Sequence, residues 1–154
     1  MTNVVELPIE LADNTSYSIM IRYKMKSLSN WSSFLYVMYD NGFMSFMPYA
    51  WTGISMYRIK DDMEEDGWND ALGSASDLKW HTAVLTFSHK NGISRLYMDG
   101  KDSGFRDKVL TLVSPRRLII GGDVYAPSCE GYLDEIRFYD YVLDRKDIET
   151  CFSE

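Results

Sequence analysis

Histidine and cysteine are almost missing from this chain, and the gap removes several chemistries at once. There are two histidines and two cysteines in 154 residues, with no Cys-x-x-Cys pair and no Cys/His cluster, which argues against a structural zinc site. Neither His-Glu-x-x-His nor Gly-x-Ser-x-Gly occurs, so the signatures of zinc proteases and serine hydrolases are lacking. No apolar run approaches membrane-spanning length, and residues 1–15 carry no signal-peptide core. Insertion into a membrane is therefore not expected. The chain reads as a mature form, a module cut from something longer, or a protein exported by another route. Positive charge is scarce as well. The net charge is −7, and Arg116-Arg117 and Arg145-Lys146 are isolated pairs rather than a basic stripe. Nucleic-acid phosphates would be repelled over most of the surface.

Aromatic residues are abundant, at 14% of the chain with 11 Tyr and 4 Trp. They suit β-strands, and they also suit surfaces that stack on sugars or partners. Tyr17, Ile19, Ile21, Tyr23 and Met25 alternate with Ser18, Arg22 and Lys24, the period of a half-buried strand. Residues 33–39 and 43–47 flank Asp40-Asn41-Gly42, a hairpin signal, and residues 81–88 and 94–98 flank a second turn ending in Asn91-Gly92. Asp99-Gly100 turns the chain again, and residues 53–60, 118–120 and 132–139 complete the strands. Asp61–Asp70 reads as an acidic loop without the EF-hand spacing. Near the end, Asp144 can N-cap a helix to Phe152, with Asp147 at its positive end and Ile148 and Phe152 on one face. No repeat or linker interrupts the pattern. The expectation is one all-β domain over residues 1–154, an antiparallel sandwich of two sheets with one short C-terminal helix.

The second half carries an ordered series of short motifs. Trp80-His81-Thr82-Ala83-Val84 is followed by Leu96-Tyr97-Met98-Asp99-Gly100-Lys101 and then Leu118-Ile119-Ile120-Gly121. Gly131-Tyr132-Leu133-Asp134-Glu135-Ile136-Arg137-Phe138-Tyr139 and Val142-Leu143 complete it. This series resembles the laminin-G-like branch of the concanavalin A-like lectin/glucanase superfamily, and Tyr17–Met25 fits that family's opening strand. The resemblance implies a jelly-roll β-sandwich. It also implies a mostly non-catalytic module that binds glycans or proteins, often with calcium at the rim. Its members occur in extracellular proteins, on bacterial surfaces, in glycan-degrading enzymes and in phage structural proteins, so an extracellular, cell-surface or virion location is expected.

Two acids, Asp134 and Glu135, invite a catalytic reading. A glycosidase needs two carboxylates facing one bond, whereas adjacent strand residues point to opposite faces. Asp134 is expected beside Ile136 and Phe138 on the buried face, accepting hydrogen bonds from backbone or from the Trp80-His81 segment as scaffold. His81 is read as structural and His89 as a solvated turn residue, so no catalytic residue is assigned. Cys129 and Cys151 can be bridged only if the two segments meet, which geometry must decide.

Binding is expected in loops. Tyr49 and Trp51 flank a turn, Trp68 and Asn69 lie in the acidic stretch, and Asp123 and Tyr125 precede the last strand; these six are the candidate ligand residues. A distant similarity to pentraxins points to Asp40, Asn41 and Asp123 as candidate calcium ligands, although Asp40-Asn41-Gly42 is equally a plain hairpin turn. The leading expectation is a lectin-like module for a glycan or surface polysaccharide. The alternative is an assembly or adhesion module whose aromatic loops grip other protein subunits.

Overall fold

The computed structural model describes residues 5–12, 16–50, 53–63, 67–106, 114–126 and 128–153. Its strands are β1 (Val5–Leu7), β2 (Ser16–Met25), β3 (Leu35–Tyr39), β4 (Gly42–Ala50), β5 (Ile54–Asp61) and β6 (Trp68–Ala75). There follow β7 (Trp80–Ser88), β8 (Ile93–Met98), β9 (Lys101–Arg106), β10 (Pro115–Ile120), β11 (Gly131–Tyr139) and one helix, α1 (Arg145–Ser153). They form a six-stranded sheet in the order β1-β10-β3-β4-β5-β6 and a five-stranded sheet in the order β11-β2-β7-β8-β9. All pairings between the described strands are antiparallel. The all-β sandwich expected from the sequence is the observed fold.

Strand alternation sends one set of side chains inward from each sheet. Ile19, Ile21 and Tyr23 of β2 and Ala83, Leu85 and Phe87 of β7 meet Leu35, Val37, Met44, Phe46, Tyr57 and Ile59 from the opposing sheet in one buried cluster. Aromatic rings tie the layers together, with Tyr23 and Phe46 edge-on at 5.5 Å and Tyr57 and Phe87 edge-on at 5.7 Å. Each such side chain contributes about 1.5–3 kcal/mol through burial.

The hairpins follow their turn residues. Asp99 and Gly100 join β8 to β9 with φ of 52° and 75°, the two left-handed residues of a type I′ turn. Gly42 is required for a different reason. A Cβ there would lie 1.8 Å from the Lys60 carbonyl oxygen of the adjacent strand. At the helix, the Asp147 N–H donates to the Asp144 carboxylate at 2.9 Å and the Asp144 N–H donates to Asp147 at 3.2 Å, a reciprocal cap. Ile148 and Cys151 are the buried residues of α1, packed with Met20, Val84 and Leu143. Phe152, expected beside Ile148, is instead 47% exposed and its ring lies against Gly100.

Two further expectations change, and the question of the cysteines is decided. Asp134 is not buried: its side chain is 58% exposed and pairs with the Arg22 guanidinium at 2.9 Å. The cause is a β-bulge. Leu133 pairs with Tyr23 and Glu135 with Arg22, which leaves Asp134 as the extra residue and resets the alternation. Asp99 performs the pinning role instead. Its carboxylate accepts from the Thr82 N–H at 2.9 Å and contacts His81 Nδ1 at 2.7 Å. The tail of the acidic stretch, Trp68-Asn69-Asp70, is strand rather than loop, because β6 pairs with β5 from Lys60↔Trp68 onward. The cysteines are free and buried in separate clusters.

Candidate functional site

The outward set of side chains on the six-stranded sheet builds a cleft of about 500 Å³. Its floor comes from three adjacent strands: Tyr36 on β3, Phe43, Ser45 and Met47 on β4, and Arg58 and Lys60 on β5. Two connections supply the walls, the Trp31–Ser33 segment before β3 and Asp123–Ala126 after β10. The cross-strand register explains the grouping. Tyr36 pairs with Ser45, and Ser45 pairs with Arg58, so the three stand in one row across the sheet.

Trp31 is held in a left-handed backbone conformation, with φ of 65°. Such a conformation costs a non-glycine residue about 1–2 kcal/mol, so its surroundings must fix it. Its N–H donates to the Tyr49 carbonyl at 3.1 Å, and the Arg58 guanidinium stacks 5.3 Å from its ring centroid. Arg58 is itself anchored, donating to both carboxylate oxygens of Asp70 at 2.8 and 2.6 Å. The indole thus rests on a fixed cation.

The opposite wall is organised by Asp123. One carboxylate oxygen accepts the N–H groups of Tyr125 and Ala126, each at 2.6 Å, and the other accepts from the Ser33 hydroxyl. Ser33 and Ser45 hydroxyls are 2.6 Å apart; with Ser33 donating to Asp123, Ser45 donates to Ser33. This turn presents Tyr125, whose side chain is 77% exposed. Its ring lies over Tyr36 and Phe43, at centroid distances of 6.3 and 5.8 Å, and those two rings stack at 5.5 Å. The Tyr36 hydroxyl is buried with no hydrogen-bond partner among the described residues. The Tyr125 phenol lies close enough to act on it. Burial first, then this neighbouring phenol, keep Tyr36 protonated far above the usual tyrosine range.

Of the residues singled out by sequence, Asp123 and Tyr125 belong to this cleft. Tyr49 is half-buried beside it, its ring against Gly53 and its carbonyl holding Trp31. Trp51 lies outside the described residues, as do the side chains of Trp68 and Asn69. Trp31, Tyr36, Phe43 and Arg58 are not among the sequence candidates, because three of them lie on strands rather than in loops. Their signal was there: on β3 and β4 the outward positions other than Ser45 are also aromatic or apolar, which a solvated sheet face does not need.

The proposed calcium ligands do not fit a metal. Both Asp40 oxygens are held by Arg116, at 2.5 and 2.9 Å. That hydrogen bonding lowers the Asp40 carboxyl below the usual range and raises Arg116. The Asn41 carbonyl accepts from the Asp62 N–H at 2.7 Å, and both Asp123 oxygens are engaged as described. Among the described residues no three His, Cys, Asp or Glu side chains converge on a metal position. The expected calcium set is therefore a hairpin turn, an arginine pair and a loop anchor. His81 is likewise structural, held between Asp77 at 2.9 Å and Asp99 at 2.7 Å. Burial opposes its charge, but hydrogen bonds to Asp99 and then Asp77 outweigh it and raise its pKa.

The fold is thus a two-sheet antiparallel sandwich with a cleft on one sheet, and the sequence assigns it to a superfamily. A family model for the concanavalin A-like lectin/glucanases superfamily matches residues 2–149, so the chain belongs to that superfamily. No curated protein sequence matches the chain. Among solved structures it is similar to domain 4 of AbnA, a GH43 extracellular arabinanase from Geobacillus stearothermophilus, in complex with arabinotriose. That match has a TM-score of 0.82 and 18% identity, over 96% of this chain and 71% of the other. It is also similar to the CBM40 of the Ruminococcus gnavus IT-sialidase bound to α2,3-sialyllactose, with a TM-score of 0.76, 14% identity, and 92% and 84% of the two chains covered. A heptameric SAP-like pentraxin from Limulus polyphemus matches with a TM-score of 0.70 and 13% identity, over 90% of this chain and 70% of the other.

Proposed function

We propose that this chain is a non-catalytic carbohydrate-binding module whose ligand lies in the cleft on the six-stranded sheet. The observation that carries the proposal is an exposed aromatic pre-positioned at the cleft. Tyr125 stands 77% exposed on a turn fixed by Asp123, above the Tyr36 and Phe43 rings. Sugar rings have apolar faces that stack on aromatics of this kind. Oligosaccharides in two structurally similar proteins support the same reading. The carboxylates at the β11 bulge do not support catalysis, because Asp134 pairs with Arg22 and Glu135 with Arg137 at 2.5 and 3.0 Å. A setting where polysaccharide is met, outside a cell or on a surface, goes with this function.

A glycan array probed with wild-type chain and with Tyr125→Ala, each with and without EDTA, tests the proposal. Binding by the wild type, reduced in the variant and indifferent to EDTA, is expected. Absence of binding to any glycan, together with a defined oligomer in light scattering, would favour the assembly reading instead.

A further inference from the structure

The charges of the cleft bear on which glycans it accepts, a point that rests on the glycan-binding proposal above. We infer that the cleft takes uncharged sugar chains and discriminates against those that carry carboxylates. Both cations in its lining are engaged within the protein. Arg58 holds Asp70 through two parallel hydrogen bonds of 2.8 and 2.6 Å, the bidentate geometry that a ligand carboxylate would itself need. Lys60 donates to the Asp61 carbonyl at 2.6 Å and pairs with Asp62 at 3.4 Å. A sugar carboxylate at either cation therefore competes with a carboxylate of the protein.

The remaining lining adds to the discrimination. Asp62 and Asp123 place two negative charges at the cleft, and the net charge of −7 repels an approaching anion at longer range. The most exposed group in the lining is neutral: Tyr125, with its ring and its phenol. A phenol donates to a sugar hydroxyl, and an aromatic face covers the C–H face of the ring, without a charge on either side.

Titration calorimetry of the wild-type chain against arabinotriose, xylotriose and cellotriose, with 3′-sialyllactose and trigalacturonate in parallel, tests this directly. At least one neutral trisaccharide is expected to bind about tenfold more tightly than either acidic one. Its Kd should change less than about twofold between roughly 50 and 500 mM NaCl, since no ion pair across the interface is screened. An acidic probe that binds as tightly as the neutral ones overturns the inference and leaves glycan binding standing. Binding by neither class overturns both. A second variant isolates the charge argument. Asp62 is an exposed turn residue, so Asp62→Asn should fold normally and remove one carboxylate from beside Lys60. It is expected to strengthen acidic probes by about threefold relative to neutral ones. An unchanged ratio would contradict the role given to the Lys60–Asp62 pair.

Discussion

On the five-stranded sheet, α1 lays Ile148 and Cys151 over Met20 and Val84, and the Ser18 hydroxyl ties down the chain leading to it. That hydroxyl donates to the Tyr141 carbonyl at 3.0 Å and accepts from the Leu143 N–H at 2.9 Å. On the six-stranded sheet, the outward residues of β3, β4 and β5 meet no helix among the described residues. They are overlain instead by two single side chains, Trp31 against Met47 and Met56 and Tyr125 against Tyr36 and Phe43. Both faces are apolar enough to need a cover. One receives it from the chain's own helix. The other is left with aromatics and internally matched charges, the features on which the binding proposal rests. If the cleft binds glycan as proposed, the face serving stability and the face serving recognition should be separable by mutation.

The largest effect that separates them is expected from Ile148→Ala. Loss of this fully covered side chain should cost about 2–5 kcal/mol in urea denaturation while leaving glycan affinity per folded molecule unchanged. Next comes Asp99→Ala, which orphans the Thr82 N–H and removes a partner of His81, for a loss of about 1–3 kcal/mol. His81 also gives a pH signature. Its folded pKa is raised, so its stabilisation is complete below the unfolded pKa of about 6.5 and disappears as pH rises through the folded value. The melting temperature should therefore fall as pH rises from below about 6.5 through the raised folded value, and Asp99→Asn should flatten that slope. Asp144→Ala removes the helix cap and should cost about 1 kcal/mol in the same denaturation assay, again without touching binding.

Tyr125→Ala reverses the pattern. A side chain so exposed should change stability by less than about 0.5 kcal/mol, while affinity for the glycan falls roughly tenfold in calorimetry. The smallest effect is expected at Asp134. Its pair with Arg22 is at the surface, so Asp134→Asn should alter stability by at most about 1 kcal/mol and leave binding intact.

The contrast between Asp99 and Asp134 also shows what a sequence conveys. The Asp99-Gly100 turn, the Asp144 cap and the alternation of β2 are local events, written in adjacent residues and readable as such. The bulge at Asp134 depends on how β11 slides against β2, a register that no neighbouring residue announces. Phe152 leaves the buried face for a similar reason, since tertiary packing on Gly100 decides its place. At the cleft, Asp123 and Tyr125 were legible because polar and aromatic residues share a short loop. Tyr36, Phe43 and Arg58 were not, because each reads as an ordinary strand residue until the register of three strands brings them together. Trp31 becomes meaningful only once Arg58 is seen beneath it.

Two exposed aromatics on the other sheet set up the most direct test of which face recognises ligand. Trp80 and Tyr132 flank Lys24 in one row, at 44% and 53% exposure, and could stack on a sugar if aromaticity alone were enough. Titration of a binding glycan, identified on the array, into isotope-labelled chain, followed by NMR chemical-shift mapping, compares both faces in one experiment. Shifts concentrated on Trp31, Ser33, Ser45, Tyr36 and Tyr125 are expected. Shifts concentrated on Trp80, Lys24 and Tyr132, with the cleft silent, would contradict the assignment of recognition to the six-stranded sheet.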